Sequence, residues 1–348
     1  MTLAPSRLEP IFVPRIWGMR SLAPLFTAPP GSDPIGEVWL TGESCVFCSG
    51  PFAGRSLGEV WPHLTAEWTG TDVRNTPRIP LLLKFIFPDD KLSVQVHPDD
   101  EYARAHESPS EALGKTEMWY AIAAREDAAV RLGLEPGVTR ESFKRAMAGG
   151  TVEKCLTRIA VRAGDAFFVP AGTAHTIGPG MVLCEVQQHS DLTYRVFDYN
   201  RLQADGKPRA LHLRQALEVM RFDDQAGGKV DPLRIERGPL TETYLAACRY
   251  FATEIWSFSE RIAATTSPKR FELLVVLSGS GRITWGSESV EYGPGQTFLL
   301  PAALGAYQLA PGAATELLRT YVPDLQEFAR NLAERRVNEA AWSRLLHP

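Results

Sequence analysis

GDAFFVPAGTAH, residues 164–175, is matched further along the chain by GQTFLLPAALGA, residues 295–306. Both run glycine, five residues, proline, and in both a glycine turn feeds a phenylalanine-containing apolar strand. In the first copy His175 stands five residues after Pro170; in the second that place belongs to Ala306. The repeat predicts two β-barrels of similar build, one equipped with a ligand and the other stripped of it. Outward from these stretches the pattern holds. Short runs of Val, Leu, Phe and Tyr are punctuated by 28 Gly and 26 Pro, the texture of an all-β sandwich or barrel.

Helical periodicity is confined to three places. Thr139 is a plausible N-cap for a helix to Ala148, with Phe143 and Met147 on one face. Leu213, Ala216, Leu217 and Met220 share a face between about Arg209 and Met220. A tail helix follows Pro323, where Asp324 and Glu327 resemble a capping box ahead of Leu325, Phe328 and Leu332. The polar stretch DDQAGGKVD, residues 223–231, is the best boundary candidate. The expected division is a catalytic barrel over 1–235, a second barrel without a metal site over 236–322, and a helical tail over 323–348.

Composition narrows the function. With 348 residues the chain is long enough for roughly two domains of ~150. Its 37 Lys and Arg against 41 Asp and Glu lack the basic excess of a dedicated nucleic-acid binder. No apolar run approaches the ~20 residues of a membrane span, and MTLAPSRLEP lacks a signal-peptide core, so a cytoplasmic protein is expected. Five cysteines make no disulfide framework, and Cys45 and Cys48 have no second CxxC to complete a zinc ribbon. They are expected to be ordinary thiols.

The chemistry-bearing residues lie on strands. In SVQVH, Ser93, Gln95 and His97 alternate with Val94 and Val96: a polar stripe for a cavity and a valine stripe for a hydrophobic layer. In GKTEMWY, Lys115 and Glu117 share a face of a strand whose Trp119, Tyr120 and Ile122 mark it as central, where a charged pair needs a reason. His175 sits in the turn made by Pro170, Gly172 and Gly178. One amide oxygen, one carboxylate and two imidazoles make a mixed N/O set suited to a divalent first-row metal such as zinc. Glu185, Gln187 and His189 form another polar stripe, open to reading as a solvated edge. His63, His106, His189, His212 and His347 show no ligand-like context.

These residues resemble a known family. GDAFFVPAGTAH is similar to the second motif of the cupins. More narrowly, QVHPDD at 95–100, GKTEMWY at 114–120, PAGTAHTIG at 170–178 and DLTYRVFDYNR at 191–201 resemble type I phosphomannose isomerases, of the short bacterial kind. PRIWG at 14–18 and GEVWLTGE at 36–43 are similar to that family's N-terminal blocks. The resemblance implies one zinc per chain, held by Gln95, His97, Glu117 and His175. It implies a catalytic Arg195, pocket lysines Lys84 and Lys115, and acidic partners Glu185 and Asp191, with Ser93 beside the substrate. Its substrate would be a sugar phosphate, isomerised between mannose 6-phosphate and fructose 6-phosphate through an enediol.

The proton base stays open: Glu185 or a zinc-bound water first, Asp191 or a lysine next. So does the assignment of Lys84, Lys115 and Arg195 to phosphate or reacting oxygens, and so does oligomeric state. The competing classes are an iron oxygenase of the broader cupin kind and an inactive sugar-phosphate-binding or regulatory protein. The second barrel, with Leu299, Leu300 and Leu304 around Ala306, is expected to have an apolar interior and to hold the Gln95 strand in place from behind.

Overall fold

The strands nearest the site are buried on both faces, and alternation divides their side chains between two layers. In Leu81–Ile86 and Glu117–Ala124, Ile86, Trp119 and Ala121 point into one apolar cluster; Leu83, Phe85, Met118 and Tyr120 join another. The structure is a computed structural model that describes residues 2–27, 33–73, 76–110, 112–203, 205–223 and 227–347. Residues 224–226 of the expected boundary stretch lie outside the described residues.

Three sheets form among the described residues. One of seven strands runs, in spatial order, Gly228–Lys229, Ala166–Val169, Glu117–Ala124, Met181–Gln188, Leu81–Ile86, Ile35–Trp39 and Ile11–Met19. One of five runs Tyr194–Phe197, Val94–Val96, His175–Ile177, Ala129–Leu134 and Leu156–Ala160. Trp119, Phe167 and Leu183 from the first meet Val130, Leu132 and Ile177 from the second, closing the first barrel. A third sheet of ten strands, dominated by Glu272–Trp285 and Ala306–Tyr321, makes the second barrel around Leu274, Phe298, Leu309 and Leu317.

The two barrels share one apolar layer. Leu83, Phe85, Met118, Phe168, Cys184 and Val186 on the outer face of the seven-stranded sheet pack with Leu245, Phe251, Ile255, Leu273, Val275 and Leu318 of the second barrel. Two strands that begin upstream of residue 236 also belong to the ten-stranded sheet: Ser6–Leu8 pairs with Thr297–Leu300, and Leu233–Arg237 with Leu240–Cys248. In the tail, Asp324 caps the helix Leu325–Glu334 by accepting from the Gln326 and Glu327 amides, and Phe328 and Leu332 pack near Tyr244 and Tyr321.

Two expectations need correction. The Gln95 strand is backed by helices, not by the second barrel. Val94 and Val96 are covered by Phe143 of the helix Arg140–Ala148 and Ala216 of the helix Leu213–Val219, while the second barrel packs behind the Glu117 sheet. Nor is the interior of the second barrel apolar throughout. Arg319 enters it from the long strand Ala306–Tyr321 and pairs with Glu254 and with Glu272 (Nη2 to Oε1, 2.5 Å), both carboxylates being buried. Leucines fill the rest, but a buried carboxylate needs a cation. All five thiols are free, and burial pushes Cys45 up to about 12. No described helix is long and apolar enough to cross a membrane.

Candidate active site and metal centre

Antiparallel register assembles the site. His175 lies opposite Gln95, and Gln95 lies opposite Arg195 on its other side. In the facing sheet Glu117 lies opposite Gln187, and Glu185 lies between Trp119 and Lys84. His175 is delivered by the turn predicted from the motif. Gly172 there has φ +85°, donates its amide to His97 O (2.8 Å), and approaches Val219 O so closely that a Cβ would lie 2.9 Å from it.

The ligand atoms of His97, Glu117 and His175 all lie within 4.8 Å of one another, and all three residues are buried. Glu117 Oε2 is 3.6 Å from His97 Nε2, and Oε1 is 3.4 Å from His175 Nε2. The Nδ1 of His97 faces Leu192 O at 2.8 Å and the Nδ1 of His175 faces Thr173 O at 2.9 Å. A carbonyl only accepts, so each Nδ1 carries the proton and each Nε2 lone pair is turned toward Glu117. Burial pushes His97 well below its ordinary range and His175 down to about 4, so both imidazoles are neutral at physiological pH. Glu117 Oε1 is buried without a hydrogen-bond donor. Neutral imidazoles turned toward an unsatisfied carboxylate oxygen fit a divalent metal ion. Gln95 lies beside the group, its amide nitrogen 3.2 Å from His175 Nε2; turning the amide would present its oxygen instead.

Beside this group opens a cavity of about 540 Å³. Every proposed site residue outside the His–Glu–His group lines it: Lys84, Ser93, Gln95, Lys115, Glu185, Asp191 and Arg195. Lys115 joins the two parts. Its ammonium is hydrogen-bonded to Glu117 Oε2, 3.2 Å from His97 Nε2 and 3.8 Å from Glu185 Oε1. Glu185 accepts from Trp119 Nε1 at 3.1 Å. Burial raises its carboxyl to about 7, with Glu117 adding to the rise while Lys115 and Lys84 oppose it. Burial works against the charge on Lys84, but Asp191 at 2.6 Å, Glu37 and Glu185 outweigh it, and the ammonium is held above its ordinary value.

Among the lining residues that sequence reasoning missed, four carry charged or imidazole side chains: Arg15, Glu37, Arg209 and His212. Glu37 bridges Arg15 (2.9 Å) and Lys84 (3.9 Å), and Arg209 is clamped by Asp198. His212, read above as a residue without context, accepts the Arg195 amide on Nδ1 at 3.2 Å and borders the cavity. PRIWG and GEVWLTGE signalled the first two only as motif blocks. Arg209 and His212 reach the cavity from the loop ahead of the helix Leu213–Val219, where the sequence pattern placed them inside the helix. His189 is absent from both the cavity lining and the His–Glu–His group.

Two cupin barrels, one of them holding a buried His–Glu–His group able to take a metal ion, define a cupin-fold protein with a candidate metal centre. Sequence and structure comparisons agree on which kind. The chain is 38% identical to the mannose-6-phosphate isomerase ManA of Bacillus subtilis over 89% of its length and 96% of that protein. It is 36% identical to the mannose-6-phosphate isomerase of Streptococcus mutans over 86% of its length and 95% of the relative. A crystal structure of the mannose 6-phosphate isomerase from Bacillus subtilis superposes with a TM-score of 0.83 at 29% identity, covering 91% of this chain and 99% of that one. The family description "Mannose-6-phosphate isomerase, cupin domain" matches residues 241–322, which lie in the second barrel. The chain belongs to the mannose-6-phosphate isomerase family.

Proposed function

We propose that the protein is a zinc-dependent aldose–ketose isomerase that interconverts mannose 6-phosphate and fructose 6-phosphate in the 540 Å³ cavity. The observation that carries this reading is the buried His97–Glu117–His175 group opening, through Lys115, onto a carboxylate tuned to about 7. Gln95, His97, Glu117 and His175 would hold the zinc, a mixed N/O donor set within its preference. When bound, the zinc supplies Lewis-acid polarisation of a substrate oxygen.

The chain's own groups account for the rest. Isomerisation moves one proton between C2 and C1 and a second between O2 and O1, and negative charge grows on the neighbouring oxygen as the carbon-bound proton leaves. Glu185 is the base we favour: near pH 7 it is poised to take a proton and return it. Trp119 fixes one of its oxygens. Arg195 offers a permanently charged fork for the developing oxyanion. Lys115, pinned between Glu117 and Glu185, keeps positive charge at the centre, and Lys84, held by Asp191, extends it outward. Ser93 steers Gln95 through a 3.3 Å hydrogen bond. Arg15 and Arg209 add cations for a phosphate at the mouth of the cavity. In this reading residues 1–235 carry the chemistry, 236–322 and the tail support it, and the enzyme works in the cytoplasm, where phosphorylated sugars are retained.

Metal analysis of the purified protein, joined to a coupled assay offering mannose 6-phosphate, mannose and glucose 6-phosphate, tests the reading. One zinc per chain and turnover of mannose 6-phosphate are expected. Tight binding of the sugar phosphate without turnover would instead mark a regulatory cupin.

A further inference from the structure

Before Glu117 the segment that brings Lys115 and Glu117 to the site has left the ladder except at one bond, from the Gln188 amide to Thr116 O at 3.2 Å. Its own amides are held by side chains and a loop carbonyl. The Gly114 amide donates to Asp100 Oδ1 at 2.8 Å, and Gly114 packs so tightly that a Cβ would lie 2.6 Å from the Asp100 nitrogen. The Lys115 amide donates to Pro98 O at 3.0 Å. The Thr116 amide donates to Gln188 Oε1 at 2.9 Å, and the Gln188 Nε2 donates to the same Asp100 Oδ1 at 2.8 Å. One carboxylate oxygen therefore fixes the segment at two points flanking Lys115.

The other oxygen of Asp100 leaves the barrel. Asp100 Oδ2 accepts from the hydroxyl of Tyr250 at 2.8 Å, with the guanidinium of Arg249 at 3.7 Å. Tyr250 sits in the turn between Leu240–Cys248 and Ala252–Phe258, in the second barrel. Burial, then the bond to Asp100, raises Tyr250 to about 12, so it stays a donor at physiological pH. Burial opposes the charge on Asp100, but Gly114, Tyr250 and Gln188 outweigh it and hold the carboxyl below its ordinary value. The link joins one carboxylate acceptor to its donors in both barrels.

We propose that Tyr250 is a positioning residue for the isomerase: acting through Asp100 and Gln188, it sets the placement of Lys115 and Glu117 from the second barrel. The role rests on the zinc-isomerase reading. It gives the second barrel a part in the reaction although none of its residues lines the active cavity. Outer partners of metal ligands typically shift affinity or activity by about 10–100-fold, and small misplacements of reacting groups cost as much.

Tyr250→Phe keeps the ring and removes only the hydroxyl. On apo protein titrated against a chromophoric chelator, zinc affinity is expected to fall about 10-fold or more, with kcat lowered and KM within about twofold. Asp100→Asn should act alike, and the double variant should be little worse than the worse single one, because both changes break one chain of contacts. Tyr120→Phe is the control. It deletes another tyrosine bond between the barrels, Tyr120 to Glu316 at 2.5 Å, which has no part in the Asp100 link. Loss of thermal stability without loss of zinc affinity or kcat is the result expected there. Wild-type zinc affinity and kcat in Tyr250→Phe, or equal losses in Tyr120→Phe, would overturn the proposal. A wild-type protein with neither zinc nor turnover would sink the isomerase reading, and this role with it.

Discussion

The two barrels place a buried glutamate at the same point of the same pattern and answer it in opposite ways. Glu117 lies opposite Val169, one residue before Pro170; Glu272 lies opposite Leu300, one residue before Pro301. In the first barrel Lys84 pairs with Glu185 across the neighbouring strands; in the second Glu254 pairs with Arg319. The charges have changed places. Where Glu117 faces two imidazoles, holds the Lys115 ammonium on Oε2 and keeps Oε1 without a donor, Glu272 receives two nitrogens of Arg319 at 2.9 and 2.5 Å, and Tyr307 brings a hydroxyl to 3.4 Å. A buried carboxylate demands compensation in both cases. One barrel leaves a carboxylate oxygen open beside two imidazoles, and the other closes both oxygens with a guanidinium.

Breaking the first arrangement should have the largest effect. His97→Ala or His175→Ala is expected to lose the metal and reduce isomerisation to background, read by metal content and coupled assay together. His189→Ala should keep both. Stoichiometric zinc with near-normal turnover in either ligand variant would show the site to be misplaced.

Breaking the second should cost folding rather than chemistry. Arg319→Met leaves Glu254 and Glu272 buried without a counter-charge, and about 3–5 kcal/mol of stability should disappear in denaturant titration. The protein that remains folded should still carry one zinc. A variant as stable as the parent would mean that water, not the guanidinium, serves those carboxylates.

Arg195→Ala should retain zinc and lose at least ~100-fold in kcat/KM, the size of one charged transition-state donor. Arg195→Lys should recover only part, since an ammonium lacks the guanidinium fork. A raised KM with unchanged kcat would move Arg195 from transition-state stabilisation to plain substrate binding.

The smallest effect is a pH dependence. Glu185 must be ionised to accept a proton, so kcat/KM should climb with pH and level off above about 7, where burial has set its carboxyl. Glu185→Gln should abolish that limb. If the limb survives, another group is the base.

Much of the first barrel was legible because its information is local. Alternation placed Ser93, Gln95 and His97 on one face, and the glycine–proline turn announced His175. Thr139 caps the helix Arg140–Ala148 as its sequence indicated. What stayed hidden depended on long-range register. Glu254, Glu272 and Arg319 lie on three separate strands, and nothing near any of them in sequence reveals the other two. The helix expected from about Arg209 begins at Leu213, because Arg209 is drawn into a loop by Asp198. The division of the chain was drawn from composition, which carries no sign that Ser6–Leu8 crosses to the second barrel.

That crossing bears on how the molecule is made. Ser6 meets Leu299 and Leu8 meets Thr297, partners about 290 residues apart. At the ribosomal pace of about 5–20 residues per second, the opening segment waits roughly 15–60 s for its place in a sheet to be synthesised. For that interval a short strand with unpaired amides and carbonyls stays without its partner, exposed to pairing with a neighbouring nascent chain. Its shortness limits that hazard. The seam thus joins two strands made about 290 residues apart, and the earlier of them is held open until the later one arrives.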